Sequence, residues 1–158
     1  MFSKHAFLPV LFLMASCAPQ ESEPVTDASV RLPAVKGNPG AAYFTLHGGK
    51  AGRTLVSVAS PDAGRAEMHD MTMKDGMMMM TPITSVAIPK DAEVQFAPGG
   101  KHVMLFDLKA GLKAGDTIAL SFTFKDGQTS QITATAEAPG GGDAPQMTPP
   151  AGPPGLSA

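Results

Sequence analysis

From about residue 41 to residue 136 the chain alternates apolar and polar positions in short runs broken by turn residues. The clearest run is Ile118, Leu120, Phe122 and Phe124, four apolar residues at period two with small or polar neighbours between them. That period is the mark of a strand with one buried face. Equivalent runs predict strands over 41–46, 53–60, 66–73, 77–80, 84–88, 93–97, 102–108, 117–124 and 128–136. Asp126-Gly127 and Asp75-Gly76 read as tight hairpin turns, and 111–116 as a loop between two strands. No stretch carries a helical period. Many short strands at this length predict an all-β fold, an antiparallel sandwich of the cupredoxin or immunoglobulin type.

The two ends differ from this middle. Lys4 followed by the apolar run Ala6–Met14, with Pro9 inside it, is too short to span a bilayer and reads as an export signal over 1–16. Met14-Ala15-Ser16-Cys17 resembles a lipoprotein cleavage box, which makes Cys17 the expected lipidation site. Residues 17–33 read as a lipidated cysteine and polar tether, and 34–137 as the folded domain. Residues 138–158, with five Gly and six Pro, read as a disordered tail. The expected location is the periplasm or cell envelope, held to a membrane by the anchor.

Composition excludes several classes. Cys17 is the single cysteine, so the folded part has no thiolate metal site, disulfide or catalytic thiol. Beyond the signal, 11 Lys or Arg stand against 14 Asp or Glu without a basic cluster, which argues against nucleic acid. No Ser/His/Asp arrangement, phosphate loop or cofactor fingerprint points to an enzyme.

Methionine is the anomaly. Eight of the 11 methionines lie between positions 68 and 104, too concentrated for gap-filling alone. Within that stretch His69, Met80, His102 and Met104 follow the pattern H-x10-M-x21-H-x-M. Two imidazoles and two thioethers suit soft copper(I), whereas hard cations want carboxylates and zinc sites draw on Cys, His and carboxylates. Blue-copper electron transfer would need a cysteine beside the histidines. A turn centred on Asp75-Gly76 pairs Lys74 with Met77, Met73 with Met78 and Met71 with Met80, and sets His69 opposite Pro82. His69, Met71, Met73, Met78 and Met80 then share a face, which makes Met71, Met73 and Met78 auxiliary ligand candidates. His102 and Met104 share a face of their own strand, with Val103 and Leu105 turned to the core. A sandwich that brings these two faces or their rims together makes a four-ligand pocket. His47, before Gly48-Gly49, reads as an exposed turn residue, and of Tyr43 and Phe44 one reads as core and the other as its surface neighbour, with no assignment between them.

Several separated motifs carry a resemblance. Ser60-Pro61-Asp62-Ala63-Gly64-Arg65, Glu67-Met68-His69-Asp70-Met71, Ile88-Pro89, residues 98–105 (PGGKHVML) and Leu112-Lys113-Ala114-Gly115-Asp116 occur in the order found in the periplasmic copper chaperone family PCu(A)C, which the segment 43–132 resembles. The resemblance implies a cupredoxin-like Greek-key β-sandwich and copper(I) ligands at His69, Met80, His102 and Met104. It further implies delivery of copper to the copper centres of cytochrome c oxidase, alongside an acceptor such as an oxidase subunit or a Sco-type thiol protein. The other readings are copper sequestration by the methionine-rich hairpin, and a lipoprotein whose methionine face is an apolar contact patch.

Overall fold

The computed structural model describes residues 23–140, and the expectations for the signal, Cys17 and residues 141–158 lie outside them. Ten strands run in chain order: β1 (Val25–Arg31), β2 (Gly40–His47), β3 (Arg53–Ala59), β4 (Ala63–Lys74), β5 (Met77–Pro82), β6 (Val86–Ile88), β7 (Glu93–Phe96), β8 (His102–Leu108), β9 (Thr117–Phe124) and β10 (Thr129–Glu137). The described residues contain no helix. The fold is all-β, as the alternation predicted, and cupredoxin-like, as the resemblance implied.

Hydrogen bonding runs through the order β5-β4-β8-β2-β1-β10-β9-β3-β6, with β7 also on β2. Alternation fixes which side of each strand is buried. On β9, Ile118, Leu120, Phe122 and Phe124 are all buried, and on β2 Ala42, Phe44 and Leu46 are. These two faces meet. Phe44 stacks on Phe96 of β7 with ring centroids 4.4 Å apart and meets the Phe122 ring edge-on at 4.8 Å, a geometry that suits the aromatic quadrupole. Tyr43 is the partly exposed neighbour, beneath the Arg31 guanidinium.

The stretch read as a tether joins the fold from Val25 onward. β1 pairs antiparallel with β2 and parallel with β10, so it ties the two halves of the ladder and supplies the parallel exception in an otherwise antiparallel set. A bulge between Thr26 and Ser29, with Asp27 at a φ of 54°, breaks its period. Val25 and Val30 are both buried although five positions apart, so strict alternation could not flag the strand.

β2 forks. Gly40–Ala42 pair with β8, and Phe44–His47 pair with β7. The chain between the two partners, residues 97–101, therefore loops out of the ladder and returns at His102. Gly99 there has a φ of 80°, in the left-handed region that glycine occupies without strain.

Candidate metal centre

The β4–β5 hairpin has the predicted register: Lys74 opposite Met77, Met73 opposite Met78, Met71 opposite Met80 and His69 opposite Pro82. Its turn residues Asp75 and Gly76 have φ values of 52° and 77°, the paired positive angles of a type I′ turn. β4 also pairs with β8, and this neighbour brings in the second half of the candidate set. His69 lies directly opposite His102, and Glu67 directly opposite Met104. The imidazole centroids are 5.9 Å apart, with the rings nearly perpendicular at 80°.

The sequence reading expected two sandwich faces or rims to converge. Adjacent strands of one sheet do it instead, on the side away from the core. Met68 and Val103, the alternate residues, pair across the same two strands and are buried, as is Leu105. Met104 is two residues from His102 on this outer side, and Met80 is the diagonal neighbour of His69, a separation of about 7–8 Å between backbones that long side chains can close.

The hydrogen bonds of the two imidazoles differ. His102 Nδ1 lies 2.9 Å from the Gly100 carbonyl oxygen. A carbonyl only accepts, so Nδ1 carries the proton and Nε2 of the neutral ring presents its lone pair. His69 Nε2 lies 3.5 Å from one Glu67 carboxylate oxygen, and the other oxygen forms an ion pair with Arg65 Nε at 3.0 Å. The carboxylate likewise favours the proton on the facing nitrogen. Nδ1 of His69 is left buried with no hydrogen-bond partner among the described residues. A buried polar atom without a partner is uncommon, and a site that takes up an ion is one reason for it.

The donor set fits a soft cation. Among the described residues no group of three or more His, Cys, Asp or Glu side chains is placed to hold a metal ion, and Met80 and Met104 are the soft donors on the side of the two imidazoles. The histidines are 9% and 7% exposed, whereas Met80 is 49% exposed. The apolar cleft lined by Leu32, Leu108 and Leu112 lies at the far end of β8 and contains none of the candidate ligands.

Other predicted residues fall elsewhere. His47 is half-buried rather than an exposed turn residue: its Nε2 lies 2.8 Å from the Thr26 hydroxyl and its Nδ1 3.2 Å from Glu93. Both partners belong to other strands, which local reading could not pair with it. Asp70 turns from the imidazole of His69 to accept from Lys101 Nζ at 2.7 Å, joining the residue after one histidine to the residue before the other. Glu67 and Gly100, the partners of the two rings, were missed. Glu67 stands two residues before His69 on β4, a spacing that does signal a shared side on a strand, whereas the Gly100 carbonyl lies in the loop before β8, where alternation gives no signal.

Comparison with known proteins follows the same lines. The family model described as "Putative lipoprotein LpqE-like" matches residues 24–136. A protein of Leifsonia xyli, described as "Putative lipoprotein Lxx21020", is 37% identical over 79 residues, 49% of this chain and 48% of its own length. "Uncharacterized protein RP573" of Rickettsia prowazekii is 34% identical over 88 residues, 54% and 49% respectively. The chain thus spans about half the length of these curated relatives. Among solved structures, "CuI-DR1885" from Deinococcus radiodurans is 32% identical with a TM-score of 0.56, covering 75% of this chain and 81% of that one. The copper-bound PCuAC domain from PmoF2 has a TM-score of 0.60 at 22% identity, covering 73% and 92%, a likeness of fold. The chain belongs to the LpqE-like lipoprotein family, and its folded part is a domain of the PCu(A)C type.

Proposed function

We propose that this protein is an exported copper(I) metallochaperone whose cargo is held by His69, Met80, His102 and Met104. The observation that carries the reading is the cross-strand opposition of His69 and His102, one ring keeping an unpartnered buried nitrogen and the other a free lone pair. Thioethers from β5 and β8 lie on the same side of the sheet. The copper(I) form of DR1885, at 32% identity, supports the same ion.

The donor chemistry suits loading followed by release. Thioethers are neutral, do not compete with protons and cannot be oxidised to disulfides outside the cytoplasm. Thiolates would hold copper(I) more tightly but would be lost to oxidation there. Met80 and Met104 therefore complete a soft site that a thiolate-bearing acceptor can empty. The acceptor we infer is a respiratory oxidase copper centre, reached directly or through a Sco-type thiol protein. Kinship with lipoproteins supports a periplasmic, lipid-anchored location with Cys17 as the anchor residue.

The test is transfer. The chain loaded with copper(I) is mixed with the reduced, copper-free copper-binding domain of an oxidase subunit, and the two are separated and assayed for metal. Movement of copper to the acceptor supports delivery. Copper retained by this chain, with several ions bound to each molecule, overturns delivery in favour of sequestration.

A further inference from the structure

The β4–β5 hairpin continues beyond the histidines as two further rungs of methionine. Met71 faces Met80 and Met73 faces Met78. Strand alternation places both pairs on the same side as His69, with successive rungs about 7 Å apart. Direct cross-strand neighbours have Cβ atoms about 5 Å apart, so two thioether sulfurs of one rung can reach a common ion.

Met71 is half-buried, but packing does not account for Met73, Met78 or Met80. Met68, on the inward side of the same strand, shows how the fold uses a structural methionine: it is 6% exposed. Met73 is 67% exposed, Met78 50% and Met80 49%. Leaving such side chains in water forgoes the burial that makes methionine useful in a core. What remains in its favour is the soft sulfur. Met77 and Met79 project to the opposite side, where Met77 faces Lys74, an ammonium that opposes a cation. The pairing of thioether with thioether is thus confined to the side that leads to the histidines.

We propose that Met73 and Met78, with Met71, form a second, thioether-only site for a soft monovalent cation, which takes up the ion at the hairpin tip and passes it inward to the histidine pair. Exposure falls from Met73 at the tip to His69 and His102 within. The ligands change over the same distance from thioether alone to thioether with imidazole. An exposed, weaker rung exchanges readily with solvent, and the buried rung retains the ion. The type I′ turn at Asp75-Gly76 fixes the register on which both pairs depend. This inference rests on the proposed function for the inner site, but its own ligands are distinct.

The experiment is a silver(I) titration of the full chain carrying methyl-labelled methionine, followed by NMR, with silver as a redox-inert stand-in for copper(I). The expected result is two equivalents: the first moves the Met80 and Met104 methyl signals, and the second moves those of Met73 and Met78. Met73→Leu/Met78→Leu, isosteric changes at exposed positions, is expected to bind one equivalent and to load several-fold more slowly from a weak silver complex. Met73 and Met78 signals that stay fixed through two equivalents would overturn the site. An unchanged loading rate in the variant would overturn its role in entry. His69→Ala/His102→Ala separates the two claims: it abolishes the inner site and leaves the Met73 and Met78 response intact.

Discussion

Replacing His69 by leucine should make the metal-free protein more stable while removing the stabilisation that the first equivalent of metal gives. Nδ1 of His69 is buried without a partner among the described residues, and an unsatisfied group of this kind costs about 1–3 kcal/mol. The substitution forfeits the 3.5 Å contact with Glu67, worth about 0–1 kcal/mol for a partly exposed carboxylate, and the edge contact with His102, worth at most about 1 kcal/mol. Leucine restores apolar volume at a position only 9% exposed. The balance is a gain of about 1 kcal/mol, or a rise of about 3–6 °C in Tm for a domain of this size. Metal reverses the order. An ion that binds only the folded form at 100 times the Kd of the inner site, and below that of the exposed methionines, adds about 2.7 kcal/mol, which should raise the wild-type Tm by on the order of 10 °C and leave His69→Leu almost unmoved. Calorimetry of both proteins, with and without silver(I), reads all four values. If metal-free His69→Leu is less stable than wild type by 1 kcal/mol or more, or metal stabilises the two equally, the assignment of the orphaned nitrogen to metal binding is refuted.

Three further predictions concern the scaffold. A Cβ on Gly48 would lie 1.8 Å from the Pro89 carbonyl oxygen, in a loop that Gly48 N also bonds to the Ala92 oxygen at 2.8 Å, so Gly48→Ala should lower stability by about 3 kcal/mol, read as a lower urea midpoint at unchanged m-value. Asp62 accepts from Lys109 Nζ at 2.7 Å and from the Ala119 amide at 3.3 Å, which hold its carboxyl below the usual 3.8. Its contribution is complete above the unfolded value and is lost as pH falls through the folded one. Urea melts of wild type and Asp62→Asn should therefore differ at neutral pH and begin to converge only as pH falls below about 4. The Lys101–Asp70 pair, 33% and 22% exposed, should show a coupling of about 0.5–1 kcal/mol in a double-mutant cycle, and its loss should weaken metal affinity far less than loss of a histidine.

The parts of this molecule that were legible in the sequence are those set by local rules. Asp75-Gly76 and the unbroken alternation on either side fix the hairpin register residue by residue, and the core side of β9 follows from Ile118 to Phe124. What escaped depends on partners far away in the chain. β1 is polar in composition and bulged at Asp27, so the burial of Val25 and Val30 shows only once β2 and β10 flank it. The direct opposition of His69 and His102 follows from the adjacency of β4 and β8, which no turn between them specifies. His47 takes its surroundings from Thr26 and Glu93 for the same reason. The ligand candidates could thus be named from spacing, while the side of the sheet that they share depended on strand order.

The central claim is that His69, Met80, His102 and Met104 form one copper(I) site, and competition for copper(I) against a chromogenic chelator tests it most directly. Wild type should withdraw one equivalent from a chelator strong enough to strip the exposed methionines, and His102→Ala/Met104→Ala should withdraw none. A double variant that still takes the same equivalent with the same affinity would contradict the account.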